Sequence, residues 1–189
     1  MLKVSIGPKT MALPTPTWLI GTYDADGKPN LMTAAWGGVC CSAPPCVTVS
    51  LQKPRYSYDA IMQRKAYTIS VPTESQVAQA DFCGMTSGRN QDKFAVCHFT
   101  PVRSDLVDAP YVAECPLILE CKVVHVLEVG VHTMFVGEIL DVKVDESAVT
   151  EGTPDPTRIK PIIYAPEDRR YYGLGPSLGL GFFIGKELK

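Results

Sequence analysis

Between Leu117 and Asp145 the sequence reads as two long arms folded about Gly130. In the first arm Leu117, Leu119, Cys121, Val123, Leu127 and Val129 occupy odd positions, while Glu120, Lys122 and Glu128 occupy even ones. A period of two sends alternate side chains to opposite faces of an extended chain, so this arm is predicted to be a half-buried strand. The second arm, from His132 to Asp145, carries Met134, Val136, Leu140, Val142 and Val144. With a tight turn near Gly130, the two apolar sets are expected to share one face. His125 and Glu138 interrupt those sets, and the pairing puts them within about two residue pairs of each other as buried partners.

So long an antiparallel pair commits the chain to a β-rich fold, and the rest of the sequence agrees. A run from Trp18 to Thr22, an Asp-Gly turn at Asp26-Gly27 and a second run from Asn30 to Cys41 predict another hairpin, and Val47 to Gln52 a further strand. Short helices are expected at Tyr58 to Arg64, Glu74 to Phe82 and Arg89 to Ala95. Thr73 and Gln76 stand at the spacing of a capping box for the second helix. Pro and Gly are scattered rather than gathered in a linker, so residues 1–189 are read as a single domain. These features favour a mainly β barrel or sandwich with a few short helices.

Several function classes drop out. Lys and Arg total 18 against 20 Asp and Glu, with no basic block, which argues against nucleic-acid or membrane-surface binding. No run approaches the length of a membrane span or a signal peptide, and seven cysteines without CxxC spacing point to free thiols in a reducing cytoplasm. His98, His125 and His132 lack metal-ligand spacing, so no metal site is expected. The glycines at 173, 175, 179 and 181 do not fit a dinucleotide fingerprint.

Three clusters remain that could carry chemistry. Asn30-Leu31-Met32-Thr33-Ala34-Ala35-Trp36-Gly37-Gly38 is poor in bulk for a strand, which lets a flat ligand or a phosphate approach the backbone, or lets the strand pack closely on a neighbour. Ser50-Leu51-Gln52-Lys53-Pro54-Arg55-Tyr56-Ser57 gathers hydroxyls and two cations at a strand exit. It suits a dianionic phosphate, or else a solvated turn. In the stretch Cys83 to Phe94, Ser87 is expected to cap a helix on which Arg89 and Lys93 share one face.

Together with Gly130-Val131-His132-Thr133-Met134-Phe135-Val136-Gly137-Glu138, these blocks resemble the FMN-binding split-barrel flavoproteins of the flavin reductase group, and most of all its flavoredoxin branch. The resemblance implies a Greek-key split β-barrel that forms a homodimer and binds FMN noncovalently. By position, Asn30, Met32, Thr33, Ala34, Ala35 and Trp36 would line the ring and ribityl. Ser50, Leu51, Gln52, Lys53 and Arg55 would complete the phosphate and pyrimidine contacts, with Ser87, Arg89 and Lys93 as a third edge. His132 is the implied catalytic residue, near the flavin or the donor cleft. The implied function is an FMN-dependent oxidoreductase carrying electrons between a reduced donor, such as a redox partner protein, and an acceptor in sulfur-compound reduction. The alternatives are an NAD(P)H-dependent flavin reductase that releases reduced FMN and a non-catalytic binding barrel. Where many relatives carry Gly-Asp-His, this chain has Gly130-Val131-His132, which weighs against a nicotinamide donor.

Overall fold

A computed structural model describes residues 1–188. The chain starts with β1 (Thr15–Pro16), β2 (Trp18–Tyr23), β3 (Pro29–Ala34), β4 (Gly37–Ser42) and β5 (Pro45–Gln52). Helix α1 (Tyr56–Arg64) leads to β6 (Ala66–Val71), then α2 (Val77–Met85) and α3 (Lys93–Cys97). A ribbon of β7 (Pro101–Arg103) and β8 (Pro110–Val112) precedes the long strands β9 (Leu117–Val129) and β10 (His132–Val144). A second ribbon, β11 (Val149–Thr150) and β12 (Thr153–Pro154), is followed by α4 (Pro156–Ile159), β13 (Ile162–Ala165) and β14 (Arg170–Gly173).

Seven strands form one antiparallel sheet in the order β3-β2-β6-β9-β10-β5-β4, left unclosed, and β1-β13-β14 form a smaller sheet. The predicted strand from Asn30 to Cys41 is thus two strands on opposite edges of the large sheet. Between them the chain bends at Ala35-Trp36, where the Ser50 amide donates to the Trp36 carbonyl at 2.8 Å. Gly37 permits this, because a Cβ there would lie 2.6 Å from the Thr48 carbonyl oxygen and 2.7 Å from the Trp18 ring.

Both faces of the sheet are covered. On one, Ile20, Val49, Ile61, Tyr67, Ile69 and Phe135 pack together, with the Tyr67 hydroxyl donating to the Val47 carbonyl at 3.2 Å. The Tyr58 ring meets Phe135 edge-on at 5.7 Å. On the other, Leu19 and Leu31 pack against Ala80 and Cys83 of α2 and Phe94 and Cys97 of α3. Leu19 and Ile20, neighbours pointing in opposite directions, are both fully buried, so β2 lies at the centre of the fold.

The long hairpin forms with the expected bounds, but its faces differ from the predicted ones. Register shifts between Val136 and Gly137 and between Ile139 and Asp141 mark irregularities in the β9–β10 pairing. In β10 the inward residues are Thr133, Phe135 and Gly137, while Met134 and Val136 are only half-buried. His125 stands opposite Val136 and Glu138 opposite Lys122, which keeps the two within the expected distance along the ribbon, but His125 is exposed rather than buried. Glu120, expected on a wet face, is fully buried beside Lys143 at 3.5 Å. The reason lies in β8, which covers that side of the neighbouring β6: Thr68 donates to the Pro110 carbonyl, and the Val112 amide donates to Ser70 at 3.1 Å.

The first helix begins two residues before its predicted start, at Tyr56. The capping box forms as predicted, with the Thr73 amide donating to Gln76 Oε1 at 2.9 Å, and opens a 3₁₀ turn that runs into α2. The third helix starts at Lys93 rather than Arg89, and its cap is Asp92, which accepts from the Ala95 amide at 3.1 Å. Ser87 and Arg89 therefore lie in the preceding turn, so Arg89 and Lys93 do not share a helical face. No helix among the described residues is long and apolar enough to cross a membrane.

At Gly21 a Cβ would collide with the Pro110 carbonyl oxygen and the Thr68 hydroxyl, both held by the rigid β6–β8 contact. Gly21→Ala is expected to destabilise the fold by about 3 kcal/mol. Thermal unfolding followed by circular dichroism should show the midpoint falling by roughly 6–12 °C.

Candidate functional site

The bend at Ala35-Trp36 opens a cavity of about 340 Å³. Its walls come from β3 and the bend (Met32 to Trp36), the end of β5 (Ser50, Leu51, Gln52), Arg55, and the end of α2. Helix α2 is seated on β3 because the Thr33 hydroxyl donates to the Ala80 carbonyl, and because Gly84 presents no side chain to Thr33. A Cβ on Gly84 would stand 3.3 Å from the Thr33 Cβ. Ala34 and Ala35 likewise keep the β3 wall low, so the cavity reaches close to the backbone. His132 lines the same cavity from the start of β10, where it pairs with Gln52.

A smaller cavity of about 120 Å³ adjoins the first, and Met32, Arg55, Gly84 and Met85 line both. Its other residues include Asn30, Ser57, Ser87 and Lys93. The Asn30 amide donates to Ser57 Oγ at 2.9 Å, which fixes both side chains at the start of α1. Gly88 closes the corner, where a Cβ would strike the side-chain oxygen Oδ1 of Asn30. Lys93 is 97% buried by its exposure of 3%, and its ammonium donates to the Cys83 carbonyl at 2.8 Å. Burial pushes this ammonium down to about 8, and the Arg55 guanidinium acts in the same direction. Neither Lys93 nor Arg55 forms an ion pair among the described residues. Arg55, at the start of the nine-residue α1, and the buried Lys93 line one corner that holds no carboxylate, which suits it to an anion.

The structure thus gathers twelve of the fourteen expected binding positions, together with His132, around two joined cavities. Lys53 and Arg89 are the exceptions. Lys53 points away to Glu128 at 3.1 Å, on the β9–β10 arm, and lines neither cavity. Arg89 is held outside by the Pro54 carbonyl at 3.1 Å and by stacking over the Tyr56 ring at 5.2 Å. Cys83 does line the small cavity, but its thiol is buried 3.7 Å from the Cys97 thiol, and burial raises its pKa. All seven cysteines are free.

Four residues that the sequence reading passed over complete the large cavity: Thr17, Asp81, Tyr164 and Tyr171. They come from the β1–β2 connection, α2, β13 and β14, and no local pattern ties them together.

Comparison with known proteins places this geometry in a family. Residues 10–175 match the flavin reductase like domain. The fold superposes on flavoredoxin of Desulfovibrio vulgaris (Miyazaki F) with a TM-score of 0.94 at 50% identity, covering 97% of this chain and all of that one. It superposes on flavoredoxin from Methanosarcina acetivorans with a TM-score of 0.93 at 30% identity over the whole of both chains. A putative flavin reductase with a split barrel domain from Shewanella frigidimarina shares the fold at 24% identity, with a TM-score of 0.83 over 96% of this chain and all of that one. With its domain match, its unclosed β-barrel and its cavity at the split, the chain belongs to the flavin reductase-like domain family.

Proposed function

We propose that this chain is an FMN-binding redox protein that passes electrons between a reduced donor and an acceptor, as a flavoredoxin does, with sulfur-compound reduction as its setting. The observation that carries the reading is the junction of a cavity walled by the small residues of β3 with a corner holding two cations that form no ion pair among the described residues. A planar ring joined to a phosphate ester has this shape and this charge. Arg55 would supply forked donors to the phosphate, Lys93 a point charge and Ser87 a directional hydroxyl. Met32 to Trp36 would face the ring with small side chains and backbone, and Ser50 and Gln52 would bond its polar edge. His132, in the wall of the large cavity, would hold a proton within reach of the reacting atoms. FMN held there would supply the electron storage between donor and acceptor.

The same cavity serves a second reading, an NAD(P)H-dependent flavin reductase with His132 as nicotinamide anchor. The exposed Val131 beside it offers no hydrogen-bonding side chain for such a donor, which favours the first reading. The expected compartment is the cytoplasm, in keeping with the seven free cysteines. The far half of the β9–β10 arm exposes Val126 on one side, Leu127 and Val129 on the other and Val131 at its turn, and this arm is assigned to a homodimer contact.

The decisive test is the visible spectrum after gel filtration. A retained yellow chromophore identified as FMN supports the proposal, while a colourless chain that turns over added FMN with NADH supports the second reading. In FMN titrations Arg55→Ala should lose at least about tenfold in affinity, since a charged donor is removed. Lys53→Ala should change it by less than about twofold, since only an exposed ion pair is lost.

The affinity should also depend on pH. Lys93 binds the phosphate as an ammonium, and in the flavin-free fold half of it is neutral near pH 8. FMN affinity should therefore fall as pH rises above 8, and fall again below about pH 6, where the phosphate dianion takes up a proton and becomes a monoanion. The stability of the flavin-free fold should run the other way. Between pH 8 and 10.5 the unfolded chain holds the Lys93 proton that the folded chain has lost, so stability from this group rises with pH across that window. Isothermal titration and thermal melts across pH 5–10 would check both slopes. For the dimer, sedimentation equilibrium should show two copies for the native chain and a shift to monomer when Val126 and Val129 are both replaced by Asp.

A further inference from the structure

Three of the seven cysteines, Cys40, Cys41 and Cys46, fall in one hairpin, that of β4 and β5. Strand β4 is an edge of the large sheet, and from Gly37 to Cys46 the hairpin carries no charged residue. Sheets commonly guard a free edge with charged side chains. Here Val39, Cys40 and Cys41 stand exposed instead, and the other five cysteines are buried. For Cys83, Cys97, Cys115 and Cys121 burial raises the pKa of the thiol, which keeps them unreactive.

The register of the hairpin gives one exposed thiol a partner. Cys41 stands directly opposite Cys46, between the pairs Ser42 with Pro45 and Val39 with Val47, so Cys40 is the extra residue of an irregularity in β4. Opposed residues of antiparallel strands project to one face with Cα atoms about 4.5 or 5.5 Å apart, and a disulfide spans Cα separations of about 4.4–6.8 Å. The backbone thus holds Cys41 and Cys46 at bridging distance. Adjacent Cα atoms lie only about 3.8 Å apart, short of that range, which disfavours a bond between Cys40 and Cys41. Cys46 is 6% exposed yet belongs to none of the apolar clusters of the core. Burial, with the neighbouring Cys41, Cys40 and Glu138, holds its thiol above the usual range. A reagent from solvent therefore meets Cys41 first, with Cys46 behind it.

We propose that Cys41 and Cys46 form a thiol–disulfide exchange site that takes small-molecule disulfides. The Cys41 thiolate attacks one sulfur of the reagent, whose S–S bond breaks, so that a mixed disulfide forms on Cys41 and one thiolate leaves. Cys46, once deprotonated, attacks the Cys41 sulfur, the Cys41–Cys46 bond forms and the second thiolate leaves. Two protein thiols are oxidised, one disulfide is reduced to two thiols, and the protons of Cys41 and Cys46 end on the two leaving groups. In a reducing compartment such a bond is transient, an exchange site rather than a staple. The closed form ties the free edge to β5 at both ends, by the new bond near the turn and by the Ser50 amide on the Trp36 carbonyl beside the cavity. The site is independent of the FMN reading, since none of these three cysteines lines either cavity.

The probe is hydroxyethyl disulfide, small and uncharged, added to the native chain, and the product is read by intact mass after the remaining thiols are alkylated. The native chain should form an internal bond, seen as two hydrogens lost and two thiols withdrawn from alkylation, and dithiothreitol should restore both. Cys40→Ser, an exposed substitution outside the pair, should form the same bond at a rate within about twofold of the native chain. Cys41→Ser and Cys46→Ser should stop at hydroxyethylthio adducts with no internal bond, and Cys46→Ala replaces the second variant if the serine does not fold. An internal bond that survives the loss of Cys41 or of Cys46 belongs to other cysteines and overturns the proposal. So does a native chain that does not react, that carries only adducts, or that forms only crosslinks between copies on a non-reducing gel.

Discussion

The bend at Ala35-Trp36 parts β3 from β4, and there the Ser50 amide donates to the Trp36 carbonyl, the first bond that ties the chain beyond the bend to β5. A strand continued straight from β3 would stay on that edge of the sheet. Instead the chain turns at Ala35-Trp36 and β4 is delivered to the far edge of the sheet, against β5. The tight approach of Gly37 to Thr48 and to the Trp18 ring pins the turn from the other side. The cavity is the space this detour leaves behind, so its low walls and exposed backbone follow from the same residues that split the barrel. Helix α2 then covers the opening, fastened through Thr33 and Ala80.

How much of this the sequence discloses depends on the range of the interaction involved. The β9–β10 hairpin was legible because a period of two survives over thirteen residues. Its buried face was not, because a register shift is a one-residue event that reverses inside and outside without altering composition. Thus Phe135, not Met134, fills the core. The capping box at Thr73 and Gln76 was legible for the opposite reason: both partners lie within one turn. At the third helix Ser87 and Asp92 are both good caps by type, and only the packing of Phe94 and Cys97 into the core decides for Asp92.

The same distinction applies at the site. The small residues from Thr33 to Ala35 and one of the two cations after β5 are local features that reach the cavities. Lys53 and Arg55, two positions apart, are indistinguishable by residue type at a strand exit. The strand geometry separates them, sending Lys53 to Glu128 on the arm and Arg55 to the cavity. Thr17, Asp81, Tyr164 and Tyr171 carried no signal, since a hydrogen bond such as that between Tyr171 and Asp81 exists only once the small sheet has docked beside α2.

The small cavity holds a cost in the empty protein. There an ammonium is buried to 3% exposure with only a carbonyl to receive it and a guanidinium nearby, an arrangement that disfavours the charged state. A fold that evolves under stability alone would discard such a cation, because it weakens the empty protein. It is reconciled if the cavity is normally filled, since a ligand bound only by the folded state adds stability in proportion to the logarithm of its concentration over its dissociation constant. A dianion at the Lys93 corner would offset the burial of the cation.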